Sequence, residues 1–293
     1  MGVISSAGTN LNDFWNTLSH GTVTYKEIPE YKADKNFRTH IGARVQNDTW
    51  QKNLTEIQKQ SFGKAALYAV SASRSALENA KIDMDTASQL RTAVVLSTTM
   101  GEIQTEEELS EIRHQEGFEK IPQNLLRKYR TDHIASAVSS ALQLSGPTYM
   151  VPAACAGGNY AVGLGKKLLE WNLADIVIAG GVDVFSRVAF TGFQRLLSLS
   201  PDLCKPFDRE RKGLILGEGC GIVILEREHC AQARNTKIHG ILAGVGLTAD
   251  RHHMTAPHPD GDGAVRAIRQ AIQEAERAVQ DIDYISAHGT GTI

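Results

Sequence analysis

Two short runs, Arg91–Thr98 (RTAVVLST) and Ala174–Gly181 (ADIVIAGG), are apolar or small at nearly every position. A strand with one wet face alternates polar and apolar residues, so continuous runs of this kind require a sheet covered on both faces. The coverings are also written in the chain. From Glu56 to Ala80, Ile57, Phe62, Ala66, Leu67, Val70, Ala76 and Leu77 recur at helical spacing and predict one long helix. Thr131–Leu142 predicts another, and the small residues of both suit close packing on a sheet. Asn12–Ser19 reads as a short helix. Alternating strands and helices of this kind specify an α/β layered fold.

Between these runs lies Gly146–Trp171, GPTYMVPAACAGGNYAVGLGKKLLEW. Thr148–Val151 reads as extended, and Ala161, Leu164, Leu168 and Leu169 fall at helical spacing, so Cys155 sits at a strand-to-helix turn. Free amide N–H groups at a helix N-terminus carry roughly half a positive charge, which favours negative charge on a sulfur or on a developing oxyanion. Ala154, Ala156, Gly157 and Gly158 leave little bulk around the sulfur, so a long thin substrate has access. The stretch alone supports two readings of Cys155, a nucleophile and a buried structural thiol.

The balance of 31 basic against 33 acidic residues, formal charge −2, gives no support for a nucleic-acid or membrane-surface partner. No apolar run approaches the ~20 residues of a membrane span, and MGVISSAGTN lacks the basic and apolar regions of a signal peptide. Cys155, Cys204, Cys220 and Cys230 form no C-x-x-C pair, which fits a reducing, cytoplasmic location. The polar span Glu102–Gln123 reads as a solvated face or flap without chemistry, and Arg127, Lys128 and Arg130 read as a solvated basic helix end. Gly217, Gly219 and Gly221 form a G-x-G-x-G, but it precedes the apolar strand Ile222–Leu225 instead of joining a strand to a helix, so it reads as backbone geometry. His252, His253 and His258 with Asp260 and Asp262 invite a metal site; adjacent histidines in an extended loop point to opposite sides, and no metal is expected.

From Ile238 a second α/β unit is expected: a strand to Gly246, a helix over Gly263–Val279 and a strand over Ile282–Ala287. Two strands and one crossover helix leave a sheet without its coverings, so the chain is expected to be cut short at its C-terminus; the opening G-V-I-S-S-A-G resembles the end of a strand, so a slight cut at the N-terminus is expected as well.

Five motifs then occur in order: A-A-C-A-G-G around Cys155, P-F-D-R-E-R-K-G from Pro206, L-G-E-G-C-G from Leu216, H-M-T-A-P from His253 and A-H-G-T-G-T from Ala287. Together they resemble a β-ketoacyl-acyl-carrier-protein synthase of the type II elongating kind, from residue 2 to the last residue. The resemblance implies a thiolase-like α/β/α/β/α sandwich of two similar βαβαβ halves. Residues 1–236 would supply the half with the nucleophile, and residues 237–293 the beginning of an incomplete second half. It implies a decarboxylative Claisen condensation without metal or organic cofactor, an acyl carrier protein bringing acyl and malonyl groups, and a homodimer or ketosynthase-like partner subunit.

By motif position Cys155 is similar to the acyl-accepting nucleophile and His288 to the first of two active-site histidines. A donating imidazole there stabilises the enolate left when malonyl loses CO₂. Thr255, Thr290 and Thr292 match positions that meet the pantetheine arm, and Phe193 a position lining the acyl pocket. A turn hydroxyl and a core ring are the plain alternatives for Thr255 and Phe193. Ala153 and Ala156 depart from the hydroxyl residues common at those positions. The family's lysine, second histidine and glycine-rich phenylalanine loop would fall beyond Ile293, which leaves open a truncated or split subunit acting as a dimerisation partner. Chain-length factors and decarboxylase-only relatives lack the cysteine found here.

Overall fold

A computed structural model of the chain describes residues 1–32, 35–253 and 256–292. It divides into two units, Met1–Thr236 joined by the segment from Gly289, and Lys237–His288. In chain order the first unit contains β1 (Gly2–Ser5), α1 (Leu11–Ser19), α2 (Glu56–Ser61), α3 (Lys64–Asn79), β2 (Thr92–Ser97), α4 (Ile103–Gln115), α5 (Gln123–Lys128), α6 (Asp132–Ala141), β3 (Thr148–Met150), α7 (Gly157–Glu170), β4 (Ile176–Asp183), α8 (Arg187–Arg195) and β5 (Gly219–Glu226). The five strands lie in the order β1-β5-β4-β2-β3. β2 runs parallel to β3 and β4, while β5 is antiparallel to β4 and β1.

Both faces of this sheet are covered, as the apolar runs require. Val94 and Leu96 join Ile176, Ile178 and Ile222 in a cluster with α3 and α6, while Ala93, Val95, Val177 and Ala179 face Ala161 and Leu168 of α7. Each fully buried valine or leucine contributes about 1.5–3 kcal/mol. Small residues set the spacing. A Cβ on Gly165 of α7 would lie 2.9 Å from Leu225 Cδ1, and one on Gly2 of β1 would overlap the Ala72 carbonyl of α3. At the base of the sheet Asp175 binds Arg91 at 2.7 Å and Arg227 at 2.9 Å. The hydrogen bonds from Arg91 hold its carboxyl well below the usual carboxylate range.

The single helix expected over Glu56–Ala80 is two helices. Thr55 opens α2 with a capping box, and Phe62 then takes an extended conformation, φ −105° and ψ 150°. Gly63 starts α3, and a Cβ there would overlap the carboxylate of Glu102, which accepts hydrogen bonds from Ala65 N–H at 3.2 Å and Ala66 N–H at 2.7 Å. A side chain from elsewhere in the chain thus supplies the cap, which helical periodicity cannot reveal. The same residue corrects the reading of Glu102–Gln123. Most of that span is α4, which buries Ile103, Thr105 and Leu109, and Glu102 itself is 2% exposed.

Glu218 forms the other buried acidic centre, its side chain 1% exposed. It accepts from Val45 N–H at 2.9 Å, Phe185 N–H at 3.0 Å, Tyr68 Oη at 3.3 Å and Lys64 Nζ at 2.9 Å. Burial, and the Glu218 charge beside it, push the Tyr68 phenol well above its ordinary value.

Among its described residues the second unit holds α9 (Asp262–Glu274) and a 3₁₀ turn, Val279–Asp281. The strands expected at Ile238–Gly246 and Ile282–Ala287 are absent among the described residues, since an extended segment becomes a strand only when a neighbour completes its ladder. Instead Val245 N–H donates to Glu274 Oε2 at 2.7 Å and Leu247 N–H to Gln270 Oε1 at 3.1 Å. The helix expected to reach Val279 stops at Glu274, and Glu276, at φ +53°, turns the chain away. Among the described residues no helix is long and apolar enough to cross a membrane.

Glu218→Ala removes the acceptor from two amides, a phenol and an ammonium group, so urea unfolding should show about 3–5 kcal/mol less stability. Glu218→Gln, which keeps the shape and one acceptor, should recover part of it. A loss below about 1 kcal/mol for the alanine variant would remove the carboxylate from its central role.

Candidate active site

The site is built where the parallel strands end. β3 stops at Met150, Val151 N–H still donates to Leu96 O of β2 at 2.8 Å, and Ser97 Oγ donates to Val151 O at 2.7 Å. The chain then turns sharply. Ala153 has φ −135° and ψ 28°, and Ala154 has φ +44°, a left-handed conformation uncommon for a residue with a Cβ. Ala154–Ala156 form one 3₁₀ turn and α7 begins at Gly157. Cys155 therefore stands at the N-terminus of a 14-residue helix, over the C-terminal ends of β2, β3 and β4, the edge at which open α/β sheets present their chemistry.

Two glycines allow this approach. A Cβ on Gly157 would overlap Ser97 Oγ, and one on Gly181 of β4 would meet Gly158 Cα at 3.7 Å. Cys155 is a free thiol and exposed, so it is not a buried thiol. The buried structural thiol is Cys220 of β5, which burial pushes well above the ordinary thiol range.

Phe193 lies on α8, half-buried against a cluster that includes Tyr31, Phe185 and Phe190. Tyr31 and Phe190 stack with ring centroids 4.6 Å apart. Two side chains fix the start of α8: Ser186 Oγ accepts from Ala189 N–H at 2.9 Å, and Glu107 Oε1 accepts from Val188 N–H at 2.6 Å. Thr290 and Thr292 lie on the segment that returns to the first unit. Their hydroxyls pair at 2.8 Å, Gly213 N–H donates to Gly291 O at 2.9 Å, and Arg211 Nε donates to Thr292 O at 2.8 Å. The P-F-D-R-E-R-K-G and A-H-G-T-G-T stretches, distant in sequence, are thus directly bonded. Gly291 needs φ +76° to make the turn.

His288 is the last residue of the second unit and is exposed. The strand expected to carry it is not formed, and the chain crosses into the first unit at the next residue. Thr255 lies outside the described residues. The His252 and His258 rings meet edge to face at 4.8 Å, His258 Nδ1 accepts from Asp260 N–H at 3.2 Å, and no group that could hold a metal ion occurs among the described residues. A cleft of about 880 Å³ between α2, α3 and α6 contains none of these candidates.

Composition and periodicity missed the acids that shape this edge. Asp183, at the end of β4, accepts from Thr98 Oγ1 at 2.9 Å, Thr99 N–H at 2.8 Å and Met100 N–H at 3.1 Å. Like Glu102 and Glu218, it accepts backbone amides from other segments of the chain. The signal available was a lone acid between glycines or at the end of an apolar strand, as in G-E-G and G-G-V-D.

Comparison with known proteins agrees over the whole chain. The profile described as "Beta-ketoacyl synthase, N-terminal domain" matches residues 1–231, and that described as "Beta-ketoacyl synthase, C-terminal domain" matches residues 239–293. The 3-oxoacyl-[acyl-carrier-protein] synthase 2 of Staphylococcus aureus is 29% identical over an alignment of 302 residues that covers 100% of this chain and 74% of that protein. Its namesake from Synechocystis is 29% identical over 299 residues, covering 100% and 72%. Among solved structures, the ishigamide ketosynthase/chain length factor matches with a TM-score of 0.94 and 33% identity, over 99% of this chain and 72% of that one. A β-ketoacyl synthase from Burkholderia phymatum matches with a TM-score of 0.89 and 26% identity, over 100% and 73%. The fold is the thiolase-like one of these relatives, and the chain belongs to the β-ketoacyl synthase family of acyltransferases.

Proposed function

We propose that this ketosynthase condenses an acyl thioester with malonyl-acyl carrier protein, with Cys155 as the acyl-accepting nucleophile and His288 as the group that stabilises the enolate. The observation that carries this reading is an exposed thiol on a helix N-terminus over the C-terminal ends of three strands. In the first half-reaction Cys155 Sγ attacks the acyl carbonyl, the helix amides favour the resulting oxyanion, and the carrier thiolate leaves and takes up a proton. In the second, the malonyl thioester loses CO₂ and the electron pair passes into an enolate, whose oxygen accepts a hydrogen bond from His288. The enolate carbon attacks the acyl carbonyl, the Cys155 sulfur leaves, and a 3-oxoacyl thioester forms. This chemistry calls for no metal and no organic cofactor. Thr255, Thr290 and Thr292 would meet the pantetheine arm and Phe193 the acyl chain, with residues 1–236 and 237–293 contributing to two halves of one fold.

Relatives support the partners. One solved structure is a type II polyketide acyl carrier protein in complex with its ketosynthase bound to a hexaketide, 25% identical to this chain. Another is a ketosynthase in complex with its chain length factor from Xenorhabdus doucetiae, also 25% identical. β3 is an edge strand with Thr148 and Tyr149 exposed, and a bare edge of this kind favours pairing with a second ketosynthase-like subunit or a second copy. Four free thiols fit work in a reducing cytoplasm.

Cys155→Ala should abolish the acyl adduct seen by intact mass and all condensation; a persisting adduct would refute the assignment. His288→Ala should slow malonyl decarboxylation by about a hundredfold or more while acyl loading falls far less, and equal loss in both half-reactions would count against its role. Gly157→Ala, which sets a methyl against Ser97 Oγ, should displace the Cys155 turn and cut acylation; Ser97→Gly in the same protein should restore part of it. An unimpaired Gly157→Ala enzyme would contradict the close approach.

A further inference from the structure

The turn Thr98–Gly101 leaves β2 directly after Ser97, the residue against which Gly157 packs two positions beyond Cys155. It is held at both ends by carboxyl groups. At its start Asp183 accepts three hydrogen bonds from Thr98, Thr99 and Met100, and Gly101 N–H closes the turn on Thr98 Oγ1 at 2.9 Å. Gly101 has φ +64°, and a Cβ there would lie 2.6 Å from Thr131 Oγ1. At its end Glu102 reaches inward and receives Ala65 N–H and Ala66 N–H, in space that exists because residue 63 is glycine. Nothing in the proposed half-reactions uses Glu102, yet a 2% exposed carboxyl is costly to bury unless it has a task.

We propose that Glu102 is a positioning residue: docked on the first turn of α3, it holds the turn Thr98–Gly101 at the edge that carries Cys155 and so shapes the entrance used by the acyl thioester. The proposal rests on the ketosynthase reading for its substrate, though not for the docking itself.

The docking depends on a proton. Burial raises the docked carboxyl to about 7, against the two amide bonds, which lower it. A released carboxyl in water returns to about 4.3. Because the docked value is the higher one, docking is fully favoured at acidic pH, and its advantage is lost as pH rises through about 7. The groups around it do not replace the proton. Lys128 on α5 acts on it by lowering the value. Lys64 on α3 is engaged by Glu218, Glu106 on α4 meets the Glu102 carbonyl through its amide, and His133 on α6 meets Phe62 edge to face.

The test uses the complete protein, with acyl-carrier-protein thioester as donor and intact mass as readout of loading. In the wild type, KM for the donor should rise several-fold between about pH 6 and about pH 8. Glu102→Gln, which cannot ionise, should keep the low KM across that range, with kcat within about twofold of the wild type at each pH. Glu102→Ala should show the high KM throughout. Hydrogen-exchange protection of residues 65, 66 and 98–101 should fall over the same range in the wild type and hold in Glu102→Gln. A Glu102→Gln enzyme whose KM and protection still follow pH as the wild type's do overturns the proposal. Should the wild type form no acyl adduct, the ketosynthase reading falls, and exchange alone decides whether Glu102 holds the turn: protection that follows pH in Glu102→Gln as it does in the wild type refutes it, and protection that holds across the range in Glu102→Gln while falling in the wild type supports it.

Discussion

One buried carboxylate draws together chain segments that would otherwise have no reason to meet. Glu218 receives an amide from Val45, an amide from Phe185 and two side chains of α3. These donors lie 33 to 173 residues away along the chain. Loops at a sheet's edge lose the ladder that satisfies their backbone, so their N–H groups need acceptors from elsewhere. A carboxylate serves this need better than a neutral group, because its bonds to amides are charge-assisted and each of its oxygens accepts more than once. Lys64 balances the charge.

Two more acids gather backbone nearby, with different partners. Asp183 collects the turn after β2, and Glu102 anchors the end of that turn to the next helix. Three acids thus do for loops what valine and leucine do for the strands. The two ends of the sheet are treated differently. At the base, Asp175 lies between two arginines in a closed ion network. At the other end, side chains satisfy the backbone while leaving a thiol open to solvent.

Much of this was legible in the sequence, and the rest was not for definable reasons. The runs at Arg91–Thr98 and Ala174–Gly181 demanded two covered faces, and α3, α6 and α7 cover them. The strand-to-helix turn at Cys155 followed from a change of period within one stretch. Helix breaks and caps supplied from a distance were invisible: nothing local to Phe62 and Gly63 announces that Glu102, some 40 residues on, will occupy the space a Cβ would need. The strands expected near Ile238 and Ile282 failed for the complementary reason, since apolar alternation records a preference and a ladder needs a neighbour. Gly217, Gly219 and Gly221 read as backbone geometry, and a Cβ on Gly219 would lie 2.8 Å from Ile4 O, but that attention to glycine passed over the acid between Gly217 and Gly219.

The two-faced sheet has a consequence for how its register is kept. Where one face is wet, a strand that slips by one residue exposes apolar side chains and buries polar ones, and solvent corrects the error. Here both faces are dry, so water cannot distinguish them. What differs is volume. The face under α7 holds Ala93, Ala179 and the helix glycine Gly165, while the face under α3 holds Leu96, Ile178 and Ile222. A slip would drive large residues into the shallow side and leave voids on the deep one, and overpacking and cavities each cost on the order of 1–3 kcal/mol or more per site. Size therefore carries the positional information that polarity carries in other sheets, and an alanine at the centre of this one is as informative as a charge on a surface strand.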